Sequence, residues 1–264
     1  MKIRPLNDLH LEFRDFNIPE LPDDAETTLV LAGDIWVGTR DDFVLWIKDC
    51  CFRFKNVVMV LGNHEFYGHE INDVRRFWKN VQNEIKNLFV LDDTMQIVDG
   101  VRFIGGTLWT DMNRNDYFTK AKAKQQMNDY FQIKIEAEDQ GDYYGFTRPL
   151  TPDDTVTLHQ CTTFFIRECL RVPFDGKTVV VTHHLPLFHC VHGKYFNHDM
   201  NGAYASDLED IFREYDFDIW FHGHTHETIK LKDIYGKDIW CNPRGYLPNA
   251  PNPKFDPELV IDLE

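Results

Sequence analysis

The chain has 264 residues, 43% of them apolar, which is enough to bury a substantial core, and nothing in its composition marks a division into two domains. A formal charge of -15 argues against binding an extended duplex through a broad basic face, and no run approaches the roughly 18 apolar residues of a membrane span. Met1 to His10 offers neither an apolar signal region nor a small-residue cleavage site, so one cytoplasmic domain over residues 1–264 is expected.

Taken in chain order, β-rich runs occur at Lys2–Leu6, Leu29–Leu31, Val57–Leu61 and Gln96–Ile104. Between them, Phe43, Trp46, Ile47, Cys50 and Phe54 share one helical face, as do Ile71, Val74, Trp78, Val81, Ile85 and Leu88. The early chain therefore reads β-α-β-α-β. Trp109 to Leu150 is polar and tyrosine-rich, with an acidic run from Glu136 to Asp142. It is read either as a surface helix pair with a solvated loop or as a lid facing the substrate, at about 109–150. Thr151-Pro152-Asp153-Asp154 announces a helix reaching about Leu170, with a capping residue, a proline at the first position and two carboxylates near the positive end of the dipole.

Further β-runs follow at Thr178–Thr182, Asp218–Phe221, Thr228–Leu231 and Leu259–Leu263. Two runs around Tyr235-Gly236 suggest a hairpin, so a mixed α/β sandwich is expected. The cysteines at 50, 51, 161, 169, 190 and 241 contain no Cys-x-x-Cys pair and are read as reduced, mostly buried thiols.

Five short motifs sit where β-runs end: Asp8-Leu9-His10, Gly33-Asp34, Gly62-Asn63-His64-Glu65, Thr182-His183-His184 and Gly223-His224-Thr225-His226. Side chains at the carboxyl ends of strands project into the crevice where α/β sheets place ligands. Imidazole nitrogens with carboxylate and amide oxygens suit borderline and hard dications. In an Asp-x-His pair the two-residue period of an extended strand sends both side chains to one face, and His224 and His226 repeat the pattern.

In the order and spacing of these motifs, which span residues 8 to 226, the chain resembles the calcineurin-like metallophosphoesterase superfamily. The resemblance implies a four-layer αββα sandwich of two mixed sheets, with a dinuclear site at the strand ends. It implies that Asp8, His10 and His226 hold one cation, that Asn63, His183 and His224 hold the other, and that Asp34 bridges them. His64 would contact the phosphate and assist the leaving oxygen, with Glu65 orienting it. The His183-His184 doublet leaves a choice that comparison with Thr-His-His-x-Pro members of the superfamily resolves toward His183. Asn7 stands where the family often has Ser.

Two divalent cations are expected, Mn first, with Fe, Zn, Ni, Co and Mg compatible. The expected reaction is hydrolysis of a small phosphoester, mono- or diester, such as a nucleotide or cyclic nucleotide, by a water activated between the cations. The alternatives are a nuclease on single strands or ends, and a non-catalytic scaffold. The sequence leaves the oligomeric state open. Around the site, His189 or His192 in the loop carrying His198, and Arg148, are read as solvated or as reaching a phosphate. Trp36 and Trp109 are read as core or base-stacking, and His69, His159 and His222 as structural.

Overall fold

The computed structural model describes residues 1–137 and 146–263. Its elements begin with β1 (Lys2–Leu6), β2 (Thr27–Ala32), α1 (Asp41–Arg53), β3 (Asn56–Val60), α2 (Ile71–Glu84), β4 (Leu88–Leu91), β5 (Thr94–Val98) and β6 (Val101–Gly106). The middle of the chain adds α3 (Met112–Asn115), α4 (Tyr117–Gln126), α5 (Asp129–Gln132), β7 (Lys134–Glu136), β8 (Thr147–Pro149) and α6 (Pro152–Arg171). Then come β9 (Thr178–Thr182), α7 (Glu209–Glu214), β10 (Ile219–Phe221), β11 (Ile229–Ile234), β12 (Lys237–Cys241), β13 (Gly245–Tyr246), β14 (Ala250–Pro251) and β15 (Ile261–Asp262).

Two large sheets carry the fold. One has the order β15-β1-β2-β3-β4, with β1 to β4 parallel and β15 antiparallel at the edge. The other runs β11-β12-β10-β9-β6-β5, parallel from β12 to β6 and closed at each side by an antiparallel hairpin.

Strand alternation sorts the side chains into layers. Val58 and Val60 of β3 face Val179 and Val181 of β9 in the apolar layer between the sheets, with Phe103 and Phe221. Their neighbours Val57 and Met59 turn the other way onto Phe43 and Ile47 of α1 and Trp78 of α2. On the far side Val180, Trp220 and Ile239 pack under Ile166 of α6 and Phe212 of α7. A period of two in each strand thus gives each sheet two buried faces, and the result is the four-layer αββα sandwich.

Three expectations need correction. The single run at Gln96–Ile104 is the β5–β6 hairpin, turned at Asp99-Gly100, where φ is 48° and 79°. Such a two-residue loop with left-handed backbone matches the strand twist, and it sets Val98 opposite Val101 on the buried face, three residues apart. Leu88 begins β4 rather than ending the α2 face, because α2 closes at Glu84. The segment after Trp109 holds the small antiparallel pair β7–β8 among its short helices. Glu138 to Asp142 of its acidic run lie outside the described residues.

Candidate metal centre

Asp8 and His10 follow β1, Asp34 follows β2, Asn63 follows β3, His183 follows β9, and His224 and His226 follow β10. Face-to-face packing of the sheets brings these strand ends together. The backbone there is unusual: φ is positive at Asp8 (49°), His10 (46°), Asp34 (55°), His224 (70°) and His226 (51°). Left-handed conformations at residues with a Cβ cost about 1–3 kcal/mol each and persist where surrounding structure imposes them, typically at functional sites. The adjoining glycines make room. A Cβ at Gly33, where φ is +83°, would lie 2.5 Å from Nδ1 of His183, and one at Gly62 would lie 2.2 Å from Oδ1 of Asp34.

Beside a cluster of His10, Glu12 and His64, two more result, one of Asp8, His10, Asp34 and His226, the other of Asp34, His183 and His224. Asp34 belongs to both. In the first, Nε2 of His226 is 3.1 Å from Oδ1 of Asp8 and 2.9 Å from Nε2 of His10. In the second, Nε2 of His183 lies 3.3 Å from Oδ2 of Asp34 and 3.0 Å from Oδ1 of Asn63. Nδ1–H of His183 donates to the Ala32 carbonyl at 2.9 Å, which turns Nε2 to the cluster. His184 directs Nδ1 to the Thr107 carbonyl rather than to a carboxylate, and its ring lies between Trp109 and the His224 ring.

The donor set fits a divalent cation on three observations. Nε2 of His10 and of His226 face each other, an arrangement that needs a proton or cation between the two lone pairs. Nε2 of His224 is buried with no hydrogen-bond partner among the described residues. The nitrogen and oxygen donors converge on carboxylates, as borderline and hard dications require.

The electrostatics agree. Burial works against charging the His183 imidazole, but Asp34 and Asp8 outweigh it and push its pKa up to about 10. Burial, reinforced by His184 and His183, holds His224 neutral with its pKa well below the usual imidazole range. Burial likewise resists ionisation of Asp34, yet His183 and His64 keep its carboxyl well below the ordinary value.

Around the clusters, Asn7 donates to Oδ2 of Asp8 at 2.6 Å, and its own carbonyl accepts from the Asn242 amide at 2.9 Å. Tyr67 receives the Asn63 amide group at 3.1 Å, leaving Oδ1 of Asn63 toward His183. His64 was expected to be oriented by Glu65, and here the structure differs. The Glu65 carboxylate accepts from the amides of Asp34 (3.0 Å), Ile35 (2.7 Å) and Gly62 (2.6 Å), clamping the end of β2 to the end of β3. The His64 ring is instead held by Glu12, whose Oε1 accepts from Nδ1 at 2.8 Å, by Tyr246 with its hydroxyl 3.1 Å from Nε2, and by stacking on Tyr67. Burial opposes a charge on His64, while Asp34 and Glu12 raise its pKa to about 9. Oε1 of Glu12 also accepts from Nδ1 of His10 at 3.0 Å.

A cleft of about 550 Å³ opens over the second cluster. Gln126 to Asp129 form part of its wall, as do Lys194, Tyr195, His198 and Tyr204 of the long loop after β9. The two walls are tied together by α3, a left-handed turn with φ of 52° to 66°, where the Asp111 amide donates to Ser206 and Arg114 pairs with Asp207 at 2.9 Å. Of the three loop histidines, His198 lines the cleft, whereas His189 lies beside Glu209 and His192 beside Glu227. Arg148 pairs with Asp154 at the start of α6. Trp109 is buried against Phe66. Trp36 lies beside Phe43 and under the Arg40 guanidinium. His159 and His222 are buried and hydrogen-bonded to main-chain carbonyls, and the His69 carbonyl receives the Lys134 amide.

Comparison with known proteins places the chain. A curated relative, the uncharacterized protein L509 of Acanthamoeba polyphaga mimivirus, is 27% identical over 288 residues, covering 99% of this chain and 96% of its own length. Among solved structures, phosphopantetheinyl hydrolase from Mycobacterium tuberculosis superposes with a TM-score of 0.66 at 17% identity, covering 94% of this chain and 93% of that one. TT1561 of Thermus thermophilus gives 0.50 at 11% identity, covering 92% and 88%. The family model for calcineurin-like phosphoesterases matches residues 1–228, so the chain belongs to that family and its chemistry is metal-dependent hydrolysis of phosphate esters.

Proposed function

We propose that the protein hydrolyses small phosphoesters with two divalent cations, the first held by Asp8, His10 and His226, the second by Asn63, His183 and His224, and both by Asp34. The observation that carries this reading is the membership of Asp34 in both donor clusters. Its Oδ2 lies 3.3 Å from Nε2 of His183 and 3.9 Å from Nε2 of His10, so one carboxylate oxygen faces both clusters, while Oδ1 accepts from the His64 amide at 2.9 Å.

Bound there, divalent cations supply Lewis-acid stabilisation of phosphoryl oxygens and lower the pKa of a coordinated water. The remaining work falls to side chains. Asn7 and Glu65 hold Asp8 and the Asp34 loop in place before any substrate arrives. Such preorganisation matters because phosphoryl transfer depends on positioning and charge stabilisation more than on covalent chemistry. His64 stands at the edge of the donor cluster, its Nδ1 proton anchored on Glu12, so that Nε2 is the atom that gives a proton to the departing oxygen. Tyr246 occupies that nitrogen until an ester oxygen takes its place.

The test is turnover of bis-p-nitrophenyl phosphate by protein stripped with a chelator and reloaded with Mn, Co, Ni, Mg or Zn. Activity is expected only after reloading, with Mn among the active ions. Absence of turnover with all five ions would favour the scaffold reading.

A further inference from the structure

We propose that the physiological substrate is a phosphodiester with an arm in each of two cavities, the departing arm being an uncharged, largely apolar alcohol bound beside His64. The proposal rests on the phosphoesterase reading above and specifies its substrate class. It starts from a division of labour between the cavities. The cleft of about 550 Å³ is lined by Asp34, Asn63, His224 and His226 but not by His64. A second cavity, of about 480 Å³, is lined by His64 and Glu12 but by none of the seven candidate ligands. The two share Tyr67, Asn128, Tyr246 and Ala250, so they adjoin along one wall.

A phosphoryl group at the ligands therefore has room for organic substituents on two sides, and the group that protonates a leaving oxygen faces only one of them. A monoester would leave one cavity without an occupant. The linings differ in chemistry. Beside His64 stand Phe13, Val37 and Leu247 with the neutral Gln132 and Asn249. The one carboxylate there among the described residues, Glu12, is already bound to His10 and His64. Among the described residues no lysine or arginine lines this cavity, so an anionic departing arm would lose solvation without gaining a partner. Phe13, 56% exposed and edge-on to Tyr246 at 5.4 Å, offers an aromatic face to that arm.

The other cavity is mixed and carries charge: beside Leu185 and Val191 it is lined by His198, by Lys194 paired with Glu227, and by Asp129, whose Oδ1 is buried without a hydrogen-bond partner among the described residues. That oxygen is suited to accept from a hydroxyl or N–H of the retained arm. In the reaction, water oxygen bonds to phosphorus as the bond to the departing oxygen breaks. That oxygen leaves as an alcohol with the His64 proton, and a proton from the water restores His64. The products are one alcohol and one phosphomonoester.

Three probes test this with Mn-loaded protein: p-nitrophenyl phosphate, phenyl p-nitrophenyl phosphate, and the same diester carrying a carboxylate on its nitrophenyl ring. The neutral diester is expected to exceed the monoester in kcat/KM by on the order of tenfold or more, and the added carboxylate to remove most of that advantage, as expected for one filled or mismatched subsite. Phe13→Ala, at an exposed position, is expected to lower the diester-to-monoester ratio. A monoester turned over as well as the diester overturns the proposal, as does a ratio unmoved by Phe13→Ala in a variant whose circular dichroism matches wild type. Failure of all three probes with every metal would instead remove the phosphoesterase reading on which the proposal rests.

Discussion

Glu12 joins the two working parts of the site, because the same oxygen accepts from Nδ1 of His10 at 3.0 Å and from Nδ1 of His64 at 2.8 Å. A partner of this kind orients a ligating imidazole and sets its basicity, and its loss typically costs about 10–100-fold in metal affinity or rate. Glu12→Gln is therefore expected to lower kcat by about that factor. The loss should be larger for esters with poor leaving groups, since those depend most on His64. Steady-state rates across a series of aryl esters check this, and an unchanged kcat across the series would remove Glu12 from the mechanism. The residue lies two positions past the Asp8-Leu9-His10 motif, but the left-handed backbone at Asp8 and His10, beyond the end of β1, removes the two-residue period that would have marked it. Tyr246 was no more legible, since it meets His64 across 182 positions of sequence and no local pattern marks it. Glu65 shows the converse: the family resemblance implied a partner for His64, while its carboxylate is consumed by backbone amides of the β2 and β3 ends.

The elements were legible wherever period and punctuation agree. The start of α6 is the clearest case: the Thr151 hydroxyl and the Asp154 carboxylate form a reciprocal capping box, with Arg148 bridging to Asp154. Thr151→Ala is expected to destabilise the protein by about 1 kcal/mol, read from urea unfolding. Burial disfavours the Asp154 charge, but Arg148 and Thr151 outweigh it and hold the carboxyl below its usual range. A depressed folded-state value means that this contribution is complete above the ordinary Asp pKa of about 3.9 and fades as pH falls through the lower folded value. The stability gap between wild type and Asp154→Asn should accordingly stand at neutral pH and narrow in acid. A gap that widens in acid would contradict the assignment. The β5–β6 hairpin shows where periodicity gives out, because Asp99-Gly100 turns the chain in two residues and shifts the buried face from Val98 to Val101 and Phe103. The stretch after Trp109 was harder still. Its four-residue left-handed turn at α3 runs against local preference, at roughly 1–2 kcal/mol per residue, and is held by contacts to Ser206 and Asp207 that lie far along the chain.

At the scale of the whole molecule, parallel strands in two facing sheets make one edge where their carboxyl ends meet, and every motif read from the sequence falls on it. The layer order follows from alternation, whereas the cleft walls depend on two long segments whose approach no pattern foretells. The net charge of -15 also acts at this scale, repelling polyanions except where bound dications offset it locally. A single-stranded oligonucleotide is therefore expected to show negligible affinity even at low salt, measured by fluorescence anisotropy; tight, salt-sensitive binding would favour a nuclease on single strands or ends. The account as a whole turns on Asp34 serving two cations at once. Metal content by mass spectrometry, measured beside turnover for wild type and Asp34→Asn, tests it most directly. Two equivalents of Mn and full activity in wild type, with both lost together in the variant, is the expected result, and an Asp34→Asn protein that keeps its metal and its rate would contradict it.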